Sequence, residues 1–372
     1  MNAYFDNAAT TAVLPEVLDR MKEYFLSEYG NAGSTHILGM NASESAEEAR
    51  ERISYALSCK SEEVFFTSGG TESDNWAIQS AVETTGKKHI ISSVIEHKAI
   101  LSKLQSMEKQ GVTCTLLPVD TNGMVNPDDL RRAIRPDTAL VTIMAANNEV
   151  GTIQPINRLY SICQEHGVLF HTDAVQAFGK IMITAHSADM ISISAHKING
   201  PKGIGALYVR SGVTMAPLLY GGGQEGGMRS GTLPVPLVVG FGYAAGSMMD
   251  HSRVDSLTKK LERGILGSIP NASLTAASAF RVPGIANFCF RGIEAHSLVK
   301  SLSYRHEICC SAGSACSAKT TKPSYVLRAC GLSVADCHSS IRFSLGRFNT
   351  EKEIDFLLAI LPEMVVSLGK SI

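Results

Sequence analysis

Hydrophobic and polar positions along the 372-residue chain follow two different spacings. Residues 40–57 and 256–269 carry apolar side chains three and four positions apart, which predicts one buried helix face in each stretch. Six short runs are instead apolar at half or more of their positions and contain β-branched residues, which predicts strands buried on both faces of a sheet. These runs are EVFFT (63–67), HIISSVI (89–95), ALVTIMA (139–145), VLFHTD (168–173), MISIS (190–194) and IGALYVR (204–210).

Helical stretches such as INRLYSICQEHG (156–167) separate most of the predicted strands. Strands that alternate with helices favour an α/β fold with a mostly parallel, mixed sheet flanked by helices. The alternation fades after about residue 250, where weaker mixed segments follow a helix. We therefore predict a large domain at 15–249 and a smaller α+β domain formed by 1–14 and 250–372.

The charge and hydropathy of the chain exclude several partners. The formal net charge is -1, and no run of five or six like charges occurs, so nothing predicts a nucleic acid or an anionic membrane as a partner. No stretch approaches the roughly 18 uninterrupted apolar residues of a membrane span. The first residues, MNAYFDNAAT, lack the pattern of a secretory signal, and we expect a cytoplasmic protein.

The nine cysteines are odd in number and include no CxxC pair, which argues against a disulfide framework and a zinc site. Cys309, Cys310 and Cys316 lie close together. Cys316 stands in a Ser-, Gly- and Ala-rich segment with lysines downstream, where a thiolate is favoured, so it is the candidate nucleophile. Cys309 and Cys310 follow an apolar run and are predicted at the end of a strand.

Two residues at strand ends predict a cofactor site. Lys197 in SAHKINGPKGIG follows a strand, where burial would lower the pKa of its amine and suit it to Schiff-base formation. Asp173 in HTDAVQ follows another strand, and a buried carboxylate there needs a cationic partner. That partner could be a protonated pyridine nitrogen, an arginine or a helix N-terminus. Together, Lys197 and Asp173 form the pair that pyridoxal phosphate enzymes use.

Other strand ends carry weaker signals. In SGGTESDN (68–75), Thr71 and Asp74 match a helix capping box, and such a junction can bind phosphate or simply start a helix. His97 could be an ordinary surface or core histidine, or could act on a planar cofactor beneath it. Asn147 and Asn148 could shape a turn or bind a ligand, and Gln176 could reach the same ring as Asp173; these residues follow strands as well.

Two later segments each allow two interpretations. GGGQEGGMRSGT (221–232) has the composition of a flexible linker, but its Arg229, Ser230 and Thr232 would also suit an anion, even in a partner subunit. Arg342 in SSIRFSLGRF could form a structural salt bridge or bind a carboxylate with both arms of its guanidinium.

Taken together, these motifs resemble the cysteine desulfurases of the NifS/IscS type, which belong to the class V aminotransferase group of fold-type I pyridoxal phosphate enzymes. The resemblance covers nearly the whole chain, and the order of its motifs is highly specific. The motifs are FDNAATT, FTSGGTESDN, EHKAI, NNEVG, HTDAVQ, SAHKINGPKGIGALYVR, GGGQEGGMRSGTLPV, SAGSACS, PSYVLRA and SSIRFSLGRF.

The resemblance implies a role for each candidate residue. Lys197 would hold pyridoxal 5'-phosphate covalently, Asp173 would pair with its ring nitrogen, and His97 would stack on the ring and move protons. The cofactor phosphate would be held by Gly70, Thr71, Ser194 and His196, with Thr232 supplied by the other subunit of a homodimer. The ring side and the substrate would be contacted by Asn148, Gln176 and Arg342, the last of these binding the substrate carboxylate.

The resemblance also implies the reaction and the partners. L-Cysteine would give L-alanine and a persulfide on Cys316, and the sulfur would pass to an acceptor such as an iron–sulfur scaffold or a tRNA-thiolation enzyme. Cys316 could also join transient iron–sulfur ligation. A selenocysteine lyase, another class V enzyme such as a transaminase, and a non-catalytic sulfur-carrier scaffold are the alternatives.

This chain departs from the family pattern in two places. Ala195 stands where a glycine is common, which is tolerated if the backbone there is not at positive φ. The segment after Cys316, SAKTTKPS, is more basic than expected, while SAGSACS resembles the long-loop group of desulfurases.

Overall fold

The computed structural model describes residues 2–248, 250–312 and 322–369. Within these ranges the helices are α1 (Pro15–Leu26), α2 (Ile37–Leu57), α3 (Gly70–Thr85), α4 (Lys98–Glu108), α5 (Pro127–Ala133), α6 (Ile156–Glu165), α7 (Val235–Gly246), α8 (Ser252–Ser268), α9 (Ala295–His306), α10 (Tyr325–Ala329), α11 (Val334–His338) and α12 (Glu351–Gly369). The strands are β1 (Ala3–Tyr4), β2 (Val64–Thr67), β3 (His89–Ser93), β4 (Thr113–Leu117), β5 (Thr138–Thr142), β6 (Leu169–Asp173), β7 (Met190–Ser194), β8 (Gly205–Val209), β9 (Ala272–Leu274), β10 (Ile285–Phe290), β11 (Ile308–Cys309), β12 (Ser311–Ala312) and β13 (Ser340–Ser344).

The larger sheet has seven strands in the order β2-β8-β7-β6-β5-β3-β4. Neighbours from β4 to β7 run parallel, and β8 is antiparallel to both β7 and β2. Strands β3, β5, β7 and β8 are buried along their whole length, as their continuous apolar sequences predict. The predicted α/β fold with a mostly parallel, mixed sheet is therefore confirmed.

Strand β4 is missing from the sequence prediction. It lies at the edge of the larger sheet and pairs only with β3 in the described structure. Its sequence, TCTLL, is exposed at its first and fourth positions, so this edge strand lacks the apolar run that marks a buried strand. The rule that found the buried strands therefore could not find this one.

A second layer gathers the N-terminal and C-terminal parts of the chain. Antiparallel strands form the sheet β12-β13-β10-β9, and β1 pairs in parallel with β11. One apolar core joins Ala3 and Phe5 to side chains between Val254 and Val365. The domain boundaries at 14/15 and 249/250 stay a prediction. No helix of the described ranges has the length and apolar character needed to cross a membrane.

The N-terminal segment connects the two layers at one edge of the larger sheet. The Asn7 amide donates to the Ser344 carbonyl in the smaller layer, and the Thr11 amide donates to the His196 carbonyl just beyond β7. Because parallel strands end at the same sheet edge, β5, β6 and β7 deliver their following residues to this place. The segment therefore closes one side of the site described next.

Candidate active site

A cavity of about 380 Å³ opens at the carboxyl ends of the parallel strands. It gathers ten of the residues predicted from the sequence: Gly70, Thr71, His97, Asn148, Asp173, Gln176, Ser194, His196, Lys197 and Arg342. It is also lined by Ala8, Ala9, Asp74, Met144, Ala146 and Val175. Side chains far apart in sequence thus share one enclosed space, which is what a small-molecule site requires.

Lys197 ends a single 3-10 turn, Ala195–Lys197, that follows β7 directly. Its Nζ donates hydrogen bonds to the carbonyl oxygens of Ala8 at 2.6 Å and Ala9 at 2.8 Å. Ala195 is not among the residues with positive φ, so the backbone conformation there tolerates an alanine. The amine is therefore held at the cavity wall by backbone carbonyls, which lie in the N-terminal segment.

Asp173 is the last residue of β6 and is 5% exposed. Its Oδ1 accepts a hydrogen bond from the Val175 amide at 2.9 Å. Burial raises the pKa of this carboxyl, while the nearby charges of His97 and Lys197 act to lower it. A cationic ring nitrogen bound in the cavity would stabilise the negative charge of this buried carboxylate further.

The N-terminus of α3 forms another part of the wall, and here the capping-box prediction is wrong. The N-cap is Gly69 at φ 152°, with no side-chain cap, so Thr71 lies inside the first turn and Asp74 inside the helix. A Cβ on Gly70 would meet Val175 Cγ2 at 2.6 Å, so only glycine fits there without movement. The uncapped amides of this long helix suit an anion such as a phosphate.

Ser194 and His196 flank the same region. Ser194 ends β7, and His196 Nδ1 lies 3.1 Å from Thr10 Oγ1. Burial, followed by the charges of Lys197, Lys202 and Lys180, lowers the pKa of His196 to about 4. The imidazole is therefore neutral at physiological pH and can present one N–H to an anion.

His97 is the N-cap of α4, and its Nδ1 accepts a hydrogen bond from the Ala99 amide at 3.2 Å. A nitrogen that accepts a hydrogen bond carries no proton, so this bond leaves Nε2 as the ring nitrogen that can carry one. His97 lines the cavity, so the expected proton-moving role is compatible with its place. The stacking role implied by the resemblance stays a prediction.

Gln176 is fixed by a chain of hydrogen bonds. Its Nε2 donates to the Ala8 carbonyl at 2.7 Å, and Lys180 Nζ donates to its Oε1 at 3.0 Å. Lys180 was not among the candidates from sequence. Burial, with the charges of Lys197 and Arg342, lowers the pKa of Lys180 to about 7.

Arg342 on β13 forms the structural salt bridge that was one of the two interpretations left open by the sequence. It is 1% exposed, its Nη2 donates to Asp6 Oδ1 at 2.7 Å, and its Nη1 donates to the Asn148 carbonyl at 2.8 Å. The structural salt bridge is therefore present, and the side chain nevertheless lines the cavity. Its binding of a substrate carboxylate stays a prediction.

The residues that line the cavity fit pyridoxal phosphate. An amine, a buried carboxylate and an uncapped helix N-terminus are what its aldehyde, ring nitrogen and phosphate require. Lys197, Asp173 and the Gly70–Thr71 turn supply these groups in one cavity.

Thr232 and Cys316 are the remaining predictions for the cavity. Thr232 is exposed and outside it, so its contribution to another subunit stays a prediction. Cys316 lies outside the described residues. Cys309 ends β11 and Cys310 follows it, as the sequence predicts.

The glycine-rich segment 221–232 is not a free linker. The Glu225 carboxylate accepts hydrogen bonds from Arg50 at 2.8 and 2.9 Å and from the Phe66 amide at 2.7 Å. Arg229 forms a second ion pair, with Glu72 on α3. The linker interpretation is wrong because these buried and half-buried pairs anchor the segment.

The described residues contain no cluster of three or more His, Cys, Asp or Glu that could hold a metal ion. The transient iron–sulfur ligation implied for Cys316 stays a prediction. Sequence reasoning also missed Ala8 and Ala9, whose backbone oxygens leave no sequence signal, and Asp74, which was assigned to a cap.

Comparison with known proteins identifies relatives over almost the whole chain. The family described as aminotransferase class-V matches residues 3–357. A mitochondrial cysteine desulfurase of Candida maltosa is 45% identical over 381 residues, covering 99% of this chain and 78% of that protein. A solved NifS-like protein is 37% identical with a TM-score of 0.93, covering 99% of this chain and 100% of that one. A solved structure described as SspA in complex with cysteine is 36% identical, with a TM-score of 0.84 and coverages of 94% and 100%.

Proposed function

The chain belongs to the aminotransferase class-V family and, within it, to the cysteine desulfurases, and from this premise we propose how its residues remove sulfur from L-cysteine. It is an enzyme that uses pyridoxal phosphate. The products are L-alanine and a persulfide, which we assign to Cys316. One observation supports these assignments above the others: Lys197, Asp173 and the uncapped start of α3 line one cavity.

Different residues of the chain would bind different parts of the cofactor. When bound, pyridoxal phosphate supplies an electrophilic carbon for amines and an electron-withdrawing ring. Lys197 would hold it covalently, Asp173 would keep the ring nitrogen protonated, and the amides of α3 would hold its phosphate. Ser194 and His196 would add donors to the phosphate, and Thr232 of a second subunit would complete its binding.

Arg342 would orient the substrate. Arg342 is buried and cationic, and its placement by Asp6 and the Asn148 carbonyl restricts its orientation. A guanidinium in a dry cavity binds a carboxylate strongly, so Arg342 would hold the carboxylate of L-cysteine. Asn148 and Gln176 would contact the ring side or the substrate.

Proton transfer and sulfur transfer use different side chains. Lys197 and His97 can take and return protons near the substrate Cα and sulfur, with His97 acting through Nε2. The Cys316 thiolate would attack the substrate sulfur, so that an S–S bond forms as the C–S bond breaks. The sulfur is oxidised to the persulfide level, and the carbon that it leaves is reduced and gains a proton to give alanine.

The sulfur acceptor and the quaternary structure follow from the family rather than from the cavity. We expect a homodimer that passes sulfur to an acceptor protein such as an iron–sulfur scaffold or a tRNA-thiolation enzyme. The cytoplasmic location expected from the sequence stays a prediction.

Turnover of L-cysteine in the presence of a thiol reductant tests the proposal. The wild-type enzyme should form alanine and sulfide in equal amounts, while Lys197→Ala should lower the rate by about a thousandfold or more. Cys316→Ser should prevent persulfide formation but keep the absorbance change on adding L-cysteine. Cys59→Ser is a matched control, because burial raises the pKa of that thiol to about 12. Ketoacid-dependent amino transfer instead of sulfide release would contradict the proposal.

A further inference from the structure

Asp74 is a buried carboxyl at the cavity wall that the proposed reaction does not use. It lies on α3 and is 1% exposed, and it lines the cavity together with Asp173. Its Oδ1 accepts no hydrogen bond from the described residues. A charged carboxylate in such a place would lack the donors and cations that burial of a charge requires.

The described neighbours that act on the Asp74 carboxyl are acidic or neutral. Strand β6 contributes Asp173 and His171, β7 contributes Ser192, and Glu96 follows β3. His171 Nε2 is 3.7 Å from Asp74 Oδ1, but burial lowers the pKa of His171 to about 3, so its ring is neutral. Its nitrogens bond to the hydroxyls of Thr142 and Ser192. The Ser192 hydroxyl acts to lower the pKa of Asp74, but it does not outweigh burial.

Asp173 is in a different position although it is equally enclosed. The charges of His97 and Lys197 and the Val175 amide all favour its ionised form. Burial and the charges of Asp173 and Glu96 all oppose the ionisation of Asp74, so its pKa is raised far above its ordinary value. Two carboxyls that share a site cannot both ionise easily, and the one without cations keeps its proton.

We propose that Asp74 carries a proton in the folded enzyme and thereby leaves Asp173 as the one negative charge that faces the cofactor ring. Asp74 is a positioning residue that acts through Asp173. If Asp74 were ionised, the proton would be driven onto Asp173, and the ring nitrogen would lose its anionic partner. This inference rests on the proposed function for the role of Asp173, but the protonation of Asp74 can be measured without cofactor or substrate.

The first experiment measures the unfolding free energy of the cofactor-free enzyme against pH. A carboxyl whose pKa is raised on folding binds a proton in the folded state where the unfolded chain does not, so it lowers stability as pH rises above about 4. Asp74→Asn replaces the acid by a neutral side chain of the same shape and should remove that loss. The difference between variant and wild type isolates Asp74 from Glu96 and Asp173.

The second experiment follows the visible absorbance of the bound cofactor against pH, without cysteine. Asp74→Asn should leave both the absorbance titration and the cofactor affinity within about twofold of wild type, because a neutral group replaces a neutral group. Asp173→Asn, the matched change of the ionised partner, should shift the titration by about one pH unit or more and weaken binding. An Asp74→Asn enzyme that behaves like Asp173→Asn would overturn the proposal.

A third measurement covers the case in which Asp74→Asn does not fold. In wild-type enzyme labelled with carbon-13 at the aspartate side-chain carboxyls, infrared spectra should show a protonated aspartic acid at neutral pH, and the band should remain in Asp173→Asn. Absence of that band would refute the protonation of Asp74. Loss of desulfurase activity with the band intact would count against the proposed function instead.

Discussion

The charged side chains around the cavity differ in how their charges are compensated by neighbouring groups. The charges of His97 and Lys197 favour the ionised form of Asp173, whereas Arg342 forms an ion pair with Asp6. Lys180 forms no ion pair with the described residues, and its Nζ donates instead to the neutral side-chain oxygen of Gln176, Oε1. The protonated form of Lys180 therefore lowers the free energy of unfolding. The lowering of its pKa to about 7 has the same cause, the burial of its charge.

The pH dependence of stability should reveal Lys180. Its pKa is lowered on folding, so the unfolded chain binds more protons between about pH 7 and 10, and stability should rise with pH across that range. Denaturant unfolding of cofactor-free Lys180→Met should lack this rise. Lys22→Met, at a lysine whose side chain is 58% exposed, is the control and should keep it. A Lys180→Met profile parallel to wild type would contradict the assigned cause.

At the scale of single elements, the start of α3 matters most to the site. Gly69 turns the chain at positive φ, and Gly70 lies against Val175 so closely that a Cβ would overlap it. The amides of the first turn can then approach a phosphate without an intervening side chain.

Gly70→Ala should therefore weaken cofactor binding by about tenfold, through displacement of the first turn of α3. Fluorescence titration of cofactor into the unloaded enzyme would measure this affinity. Gly70→Ala combined with Val175→Ala should recover much of the loss, since it removes the contact at 2.6 Å. Gly267→Ala, on α8 with open space around it, should leave affinity unchanged. No rescue by the double change would show that the overlap is not the cause.

The sequence predicts the elements that repeat a strong pattern and misses those that depend on context. Six strands and the residues after them follow from largely apolar runs, but β4 does not, because its first and fourth positions are exposed. Thr71 and Asp74 match a capping box, yet Gly69 is the N-cap and no side chain caps the helix. Gly70 lies against Val175, which is distant in the sequence, so a local motif could not reveal how α3 starts. Asp74 then carries a buried carboxyl instead of a cap.

At the scale of the whole molecule, the cavity depends on contacts between the two layers. The N-terminal segment pairs with β11 and then donates backbone hydrogen bonds to the carbonyls of Ser344 and His196. Between these two contacts, its Ala8 carbonyl accepts a hydrogen bond from the amine of Lys197. Sequence spacing could not place Ala8 and Ala9 there, because a backbone carbonyl is common to every residue. The site therefore forms only when the two layers pack together, and the larger sheet alone does not supply it.

A mixed dimer tests the predicted contribution of Thr232. Thr232 lies outside the cavity of its own chain, on a segment anchored through Glu225 and Arg50. If it completes the partner's phosphate site, Lys197→Ala and Thr232→Ala subunits together rebuild one intact site per mixed dimer. Co-expressed subunits, purified by two different tags, should then recover about half of wild-type activity. Activity no higher than that of Thr232→Ala alone would mean that Thr232 does not act across subunits.

The most direct test of the central claim is the mass of the enzyme after a single turnover. We expect that one equivalent of L-cysteine, added without a reductant to the cofactor-loaded enzyme, leaves one extra sulfur atom on the peptide that contains Cys316 and releases an equal amount of L-alanine. No extra sulfur, or extra sulfur on Cys309 or Cys310 with Cys316 unmodified, would contradict the account.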